Sequence, residues 1–450
     1  MDSRELFAKT PPLRLFFIAA LPGAVSMLAS ALYQMLDGVF VGQYLGETAF
    51  AALNLAMPFV IINFALADLI GVGSAVPISV NLGKGEKREA DNIFTCACIM
   101  IIIAGAAVGA LLYAFAPALM ALMGAEGEFA ALAVQYMRVY ALCSPVTTII
   151  FAVDNYLRIC GYIRGSMWLN ILMSALSAVL EFLFLGVFDF GIWGAALATS
   201  LGMLICVLIA FVPFLRGWAL LSFTKPRFSM AMTRQIVSCG SPNFLNNIAG
   251  RITSIIMNAI LVRLGGETAV SVYGILMFAD GFIQPLLYGM CDSLQPAVGY
   301  NWGARAFSRV RAIEKCCFTA SAVVSLGSTV LVALIPGLIT RLFVSDPAPE
   351  VMEMSVTALR IFALTYITRW FSFATQSYML AIEKALPASL ISVSTALVFP
   401  VLLIAALYPL GLTGIWMNFP LTSVLAGVMS IVILKKLRAV LNRPDAPQEE

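Results

Sequence analysis

Residues 15–43 read LFFIAALPGAVSMLASALYQMLDGVFVGQ. From Leu15 to Leu36 no side chain is charged, enough chain to cross a bilayer core of about 30 Å at about 1.5 Å per residue. Aspartate then appears at position 37, before the apolar run has ended. An ionised carboxylate at that depth costs roughly 2.5–3.5 kcal/mol on insertion scales. The first fact sets the fold class, and the second sets the question of function.

The rest of the chain repeats the first fact. Of 450 residues, 61% are hydrophobic, 11% are charged and none is histidine. Soluble domains carry about 25% charged residues, so a large soluble helical core is excluded for want of polar faces. Further apolar runs fall at Ala97–Met123, Ile192–Leu215, Ser321–Ile339 and Leu410–Leu434. Breaks at polar, Gly and Pro clusters predict twelve helices. In the first half they span 14–43, 50–82, 93–123, 129–160, 165–187 and 192–215. In the second they span 233–263, 268–301, 314–343, 352–382, 386–409 and 412–436. The first run is too long for a signal peptide and lacks a small-residue cleavage site, so it is expected to stay in the protein. Pro22, Pro145, Pro242 and Pro285 mark expected bends. The nine cysteines show no zinc or redox spacing.

Positive charge orients the spans. All but six of the 27 Lys and Arg fall at the termini or in alternate turns on one side; the six are Arg138, Arg251, Arg263, Arg341, Arg360 and Arg369. Both termini are therefore expected in the cytoplasm, in a multi-pass protein of the plasma membrane.

The chain is also repeated. At an offset of 220, Pro22 meets Pro242, Gly46-Glu47-Thr48-Ala49 meets Gly266-Glu267-Thr268-Ala269, and Asn81-x-Gly83 meets Asn301-x-Gly303. At 222, Arg138 meets Arg360 and Tyr156 meets Tyr378; at 220 again, Gly191 and Gly194 meet Gly411 and Gly414. Six spans per half make the two repeats parallel, a plan used by alternating-access transporters. The expected division is a lobe over 1–215, an amphipathic linker over 216–234 (RGWALLSFTKPRFSMAMTR), a second lobe over 235–440 and a disordered tail over 441–450.

Several motifs carry a family resemblance over residues 10–440. They are YQMLDGVFVGQYLG in helix one, GVGSAVPISVNLGKGEKREA closing helix two, LRICGYIR after helix four, GIWGAALATS opening helix six and QPAVGYNWGAR closing helix eight. Together they resemble the multidrug and toxic compound extrusion (MATE) transporters. The likeness is to the staphylococcal-type and DNA-damage-inducible branch rather than to the classical sodium-coupled norfloxacin exporters. The resemblance implies an all-α integral membrane protein with twelve transmembrane helices in two pseudo-symmetric six-helix lobes, V-shaped. It also implies multidrug efflux: antiport of bulky organic cations against H+ or Na+, in a prokaryotic membrane. No enzyme activity, cofactor or nucleic-acid partner is expected, and a monomer in the bilayer is.

An acid inside a membrane helix is by default a functional candidate. Asp37 is the first, with Gln34 one turn before it. Glu181, in SALSAVLEFLFLG of helix five, is the second. In the resembling family this helix carries an asparagine and, four residues on, a cation-binding aspartate; here those positions read Ser177 and Glu181. Residues i and i+4 share a helix face, so both would meet the same space. Thr199 matches the family's helix-six hydroxyl ligand, so sodium at Asp37, Glu181 and Thr199 is one expectation. The lost amide oxygen tilts the reading toward protons. The repeat adds an argument independent of family. Asp37 maps onto Met257, Glu181 onto Val401 and Thr199 onto Phe419, so the second lobe has lost the whole set.

Other acids rank lower. Asp68 is a further proton acceptor or counter-charge by position. Asp154 sits one turn before Arg158 and is expected to pair with it. Asp280 and Asp292 are candidates to face the cleft and draw in cationic substrate. The alternative reading is a lipid or lipid-linked oligosaccharide flippase. Such proteins carry cavity cations, and Arg251 and Arg369 are the clear second-lobe instances. The segment GKGEKREA lacks phosphate-loop spacing, which argues against a nucleotide enzyme.

Overall fold

In the computed structural model the described residues are 3–122, 126–343, 348–442 and 444–445, and the side chains of 3, 4, 34, 35, 47 and 343 are outside the description. Every element among them is helical. Six spans fill the first half: α1 Pro12–Leu45, α2 Glu47–Gly83, α3 Lys87–Leu122, α4 Gly127–Leu142 with Ser144–Ile159, α5 Ile163–Glu181, and α6 Ile192–Leu215. The second half holds α7 (230–265), α8 (267–303), α9 Phe307–Leu334, α10 Pro349–Ala363 with Tyr366–Ala381, α11 (385–407) and α12 Gly411–Lys436. Among the described residues, eight helices are long and apolar enough to span. Two of these, Met230–Gly303 and Ala385–Lys436, each contain two spans divided at a positive-φ glycine, Gly266 or Gly411. The bent pairs in α4 (55°) and α10 (48°) supply the last two, so the expected twelve are present.

One of the two bends was expected, at Pro145, and the other was not. In α4 the break precedes Pro145, the second residue of its lower half, where a missing N–H costs nothing. In α10 no proline stands at the break. There the carbonyl of Thr365 accepts from Ser423 Oγ (2.9 Å) and that of Tyr366 from Ser325 Oγ (2.6 Å). Serines on neighbouring helices thus add a second hydrogen bond to the backbone just after the break. Cys143 and Thr365 mark the two breaks and stand 222 apart, as the repeat requires.

Backbone handedness repeats as well. Residues with φ in the left-handed region pair as Gly46 with Gly266, Gly85 with Arg305, Gly161 with Glu383 and Gly191 with Gly411. Glycine suits such turns because it has no Cβ to meet the following carbonyl. Arg305 (φ 57°) bears that strain on an exposed turn. Arg305→Gly is expected to stabilise the protein by up to about 1 kcal/mol, read as a higher melting temperature in detergent. A lower one would show that the arginine side chain contributes more than its backbone costs.

The chain forms two compact units whose boundaries differ from the expected lobes. One comprises Met1–Thr10 and Val25–Phe244, the other Pro11–Ala24 and Leu245–Glu450. The start of α1 therefore belongs with the second half, and the start of α7 with the first. The reason is close backbone approach. A Cβ on Gly23 would lie 2.4 Å from the Gly289 carbonyl oxygen of α8, and one on Gly240 would lie 1.8 Å from that of Leu69 on α2. Each crossing point comes two residues after a repeat-related proline, Pro22 or Pro242.

The linker is an extended strap over 216–229, shorter than expected because α7 begins at Met230. Side chains at the start of α3 hold it by its backbone. Ser222 N donates to Asp91 Oδ1 (2.9 Å), Thr224 N to Thr95 Oγ1 (3.1 Å) and Arg227 N to Asn92 Oδ1 (2.8 Å). In the second unit the segment after α12 meets the start of α9. Leu441 is buried and its carbonyl accepts from Arg311 (3.2 Å). Asp445 accepts from the Ser308 amide (2.7 Å) and hydroxyl. Within the tail expected to be disordered, these residues are therefore docked. Residues 443 and 446–450 lie outside the description.

Ser308 holds the Asp445 carboxyl below the usual carboxylate range. A depressed folded value gives stability that is present above the unfolded value and is lost as pH falls through the folded one. At neutral pH, Asp445→Ala should speed exchange of the Ser308 amide, and the difference from wild type should close at strongly acidic pH. Equal protection at neutral pH would refute the cap.

Candidate functional site

The first unit gathers the predicted acids. Asp37 on α1 is 6% exposed and Glu181, the last residue of α5, is 0% exposed. Their carboxyl groups lie close enough to feel each other's charge. Ser177, one turn before Glu181, is fully buried in the same place, and Gly202 of α6 packs so tightly on it that a Cβ there would lie 2.6 Å from Ser177 Oγ. Thr199 of α6 bonds the hydroxyl of Tyr33. The Gln34 side chain lies outside the described residues.

Sequence reasoning missed two members, Tyr33 and Tyr136. Both are buried and close enough to Asp37 and Glu181 to feel their charge. A signal for Tyr33 existed, since it precedes Asp37 by four residues and shares its helix face. None existed for Tyr136 on α4. Directly after Glu181 the helix widens into a π turn, Phe182–Val187, a feature frequent at functional sites.

The chemistry of the cluster is incomplete as it stands. Asp37 Oδ1 and both Glu181 oxygens find no hydrogen-bond donor among the described residues. Burying a bare carboxylate costs several kcal/mol even after relaxation, and two in contact repel besides. One proton shared between them, or one small cation bridging them, removes both penalties. Asp37, Glu181, Ser177, Thr199 and Tyr33 supply only oxygens, the donor type hard cations take. No group of three or more His, Cys, Asp and Glu able to hold a metal exists among the described residues.

The second unit is built differently at the repeat-related positions. Met257 is 1% exposed in an apolar cluster, and Phe419 packs against it. Phe419 also stacks near Tyr273 (6.2 Å) and meets Phe362 edge-to-face (5.1 Å). The loss of polarity read from the repeat is thus a loss to aromatic packing.

The lower-ranked acids are mostly committed elsewhere. Asp154 pairs with Arg158 (2.6 Å), as expected, and accepts from Asn170 (2.8 Å) and Ser166. It is a structural ion pair rather than an open acid. Asp280 corrects the expectation of a free counter-charge for substrate. It pairs with Arg369 Nη1 (2.9 Å) and accepts from the Tyr366 hydroxyl (2.8 Å), so its charge is already matched. Asp292 accepts from Gln295 (2.8 Å) and Ser377 (3.0 Å). Asp68 is half-buried on α2.

Twelve spans in two repeated halves, with an uncompensated acid pair buried in the first, define a multi-pass membrane transporter. The sequence profile of the MatE family matches residues 22–183 and 242–405. The chain belongs to that family, the multidrug and toxic compound extrusion transporters. It is similar to the multidrug export protein MepA of Staphylococcus aureus, at 25% identity over 438 residues that cover 96% of this chain and 95% of that one. MepA of Staphylococcus saprophyticus is 24% identical over 93% of this chain and 92% of its own. Among solved structures, a MATE complex with MaL6 superposes with a TM-score of 0.93 at 22% identity, over 99% of this chain and 100% of that chain. An outward-facing MATE transporter of the MOP superfamily gives 0.93 at 22%, over 99% of each. These likenesses bear out the fold read from the sequence.

Proposed function

We propose that the protein is a secondary active exporter of bulky organic cations, driven by protons through the Asp37–Glu181 pair of the first unit. The observation that carries this reading is the burial of two neighbouring carboxyls with orphaned oxygens. A proton arriving from outside completes that pair, and its departure inward leaves two charges that cannot stay together. Each state of the pair favours a different arrangement of the helices that hold it. Cargo bound more tightly by one arrangement is then coupled to the proton, since both ligands bias one equilibrium. The names of the staphylococcal relatives support multidrug export as the task. Both termini in the cytoplasm, a prokaryotic plasma membrane and a monomeric unit complete the reading, with Asp68 and Asp292 as further acids of the transport path.

Sodium is the second reading, favoured by the all-oxygen inventory around Glu181. Inverted membrane vesicles separate the two. A pH gradient imposed without sodium should drive uptake of a cationic dye, and a sodium gradient without a pH gradient should not. The reverse pattern would replace the proton by sodium. Dye movement under neither gradient would end the antiport reading.

A further inference from the structure

The strap over 216–229 carries charge that nothing in the first unit balances. From Phe190 to Gly266 the sequence holds no Asp or Glu, while the strap brings Arg216, Lys225 and Arg227. None of the three pairs with a carboxylate among the described residues. The one acid that touches the strap, Asp91, accepts from the Ser222 amide and is already matched by Lys87 (2.7 Å).

The way the strap is fastened leaves these side chains outside. Asn92 grips Arg227 by its backbone alone, accepting from its amide (2.8 Å) and donating to its carbonyl (3.1 Å). Ser222 and Thr224 are likewise held through their amides. Leu221 turns inward and is fully buried, whereas Arg216, Lys225 and Arg227 are exposed. Large apolar side chains are exposed beside them: Trp218 (61%), Phe228 (54%) and Met230 (84%). The Arg216 guanidinium lies over the Trp218 ring (4.9 Å), and the Trp218 carbonyl accepts from the Tyr162 hydroxyl (3.1 Å).

The strap joins the end of α6 at Leu215 to the start of α7 at Met230, so it sits where two spans leave the bilayer. Orientation by positive charge needs the bases but not the exposed Trp, Phe and Met. A soluble anion would meet the bases and leave the apolar groups in water. A lipid satisfies both, with phosphate for the guanidiniums and acyl chain for the rings.

We propose that the strap is a docking surface for anionic phospholipid headgroups. Arg216, Lys225 and Arg227 meet the phosphates, and Trp218, Phe228 and Met230 seat among the upper acyl chains. Which ion drives export has no bearing on this contact.

Quenching of Trp218 fluorescence tests it, with full-length protein in phosphatidylcholine nanodiscs. A minor share of the lipid is brominated high on the acyl chain, either phosphatidylglycerol or phosphatidylcholine at equal mole fraction. The Trp218 signal is the difference between wild type and Trp218→Phe. Brominated phosphatidylglycerol should quench it more strongly than brominated phosphatidylcholine. Arg216→Gln, Lys225→Gln and Arg227→Gln should each reduce that preference, by up to about fivefold, and the triple variant should show none. The charge-preserving pair Lys225→Arg with Arg227→Lys should keep it, as should Arg305→Gln on an exposed turn of the other unit. Equal quenching by the two lipids in wild type, or a preference that survives in the triple variant, would overturn the surface. High salt should erase the preference; this arm uses unaltered protein, and an unchanged preference there would overturn the electrostatic contact even where a variant fails to fold. Sodium phosphate and sodium chloride at equal ionic strength should weaken the preference equally. A stronger effect of phosphate would assign the bases to a soluble anion and overturn the lipid role.

Discussion

Asp37→Asn should lower concentrative dye export by roughly a hundredfold, the upper range of a coupling free energy of about 1–3 kcal/mol, while the protein still folds and inserts. The amide is isosteric with a protonated carboxyl and can donate to Glu181. It therefore mimics the loaded state and cannot leave it. The variant should still bind cargo, because the lost property is exchange and not recognition. Glu181→Gln should behave alike, since the two acids act as one unit, and the double variant should be little worse than either single one. Export assays on folded, dye-binding protein read the effect. Undiminished export by Asp37→Asn would remove Asp37 from the mechanism.

Gly240→Ala should be the most damaging single change outside the site. A Cβ at position 240 would stand 1.8 Å from the Leu69 carbonyl oxygen and 2.5 Å from its carbon, both backbone atoms. No rotamer relieves a backbone clash, so α7 and α2 must part. Overpacking in a dense interior costs about 1–3 kcal/mol or more, and this contact is tighter than a misplaced methyl among side chains. Gly73 faces the same seam, where a Cβ would lie 2.2 Å from the Ile236 carbonyl oxygen. The expected result is a severalfold loss of folded protein in membranes and a lower melting temperature for Gly240→Ala. Wild-type yield and melting temperature would show that the seam is looser than drawn.

Both effects bear on what sequence could disclose. Asp37 and Glu181 were legible because a charge amid apolar residues is conspicuous, and because the repeat put Met257 and Val401 opposite them. Tyr33 hid in plain view: aromatic, it passed as one more apolar residue of α1. Asp280 was misread for a different reason. Its partner Arg369 is 89 residues away, and no spacing rule connects two helices before their packing is known. The same limit applies to Gly23 and Gly240. Their neighbours at Gly289 and Leu69 are distant in sequence, so the exchange of helix starts between the two units left no periodic trace. The repeat, by contrast, foretold the turns. Once Gly85 and Gly161 are matched to Arg305 and Glu383, two strained residues follow that composition would never single out.

The central claim is that a buried acid pair exchanges a proton for cargo, and proton counting on purified protein tests it most directly. In weakly buffered solution near neutral pH, adding a cationic dye to wild-type protein should release about one proton per dye bound, whether or not sodium is present. The same addition to Asp37→Asn should release none although the dye still binds. Dye binding by wild type with no proton released, or release that persists unchanged in Asp37→Asn, would contradict the account.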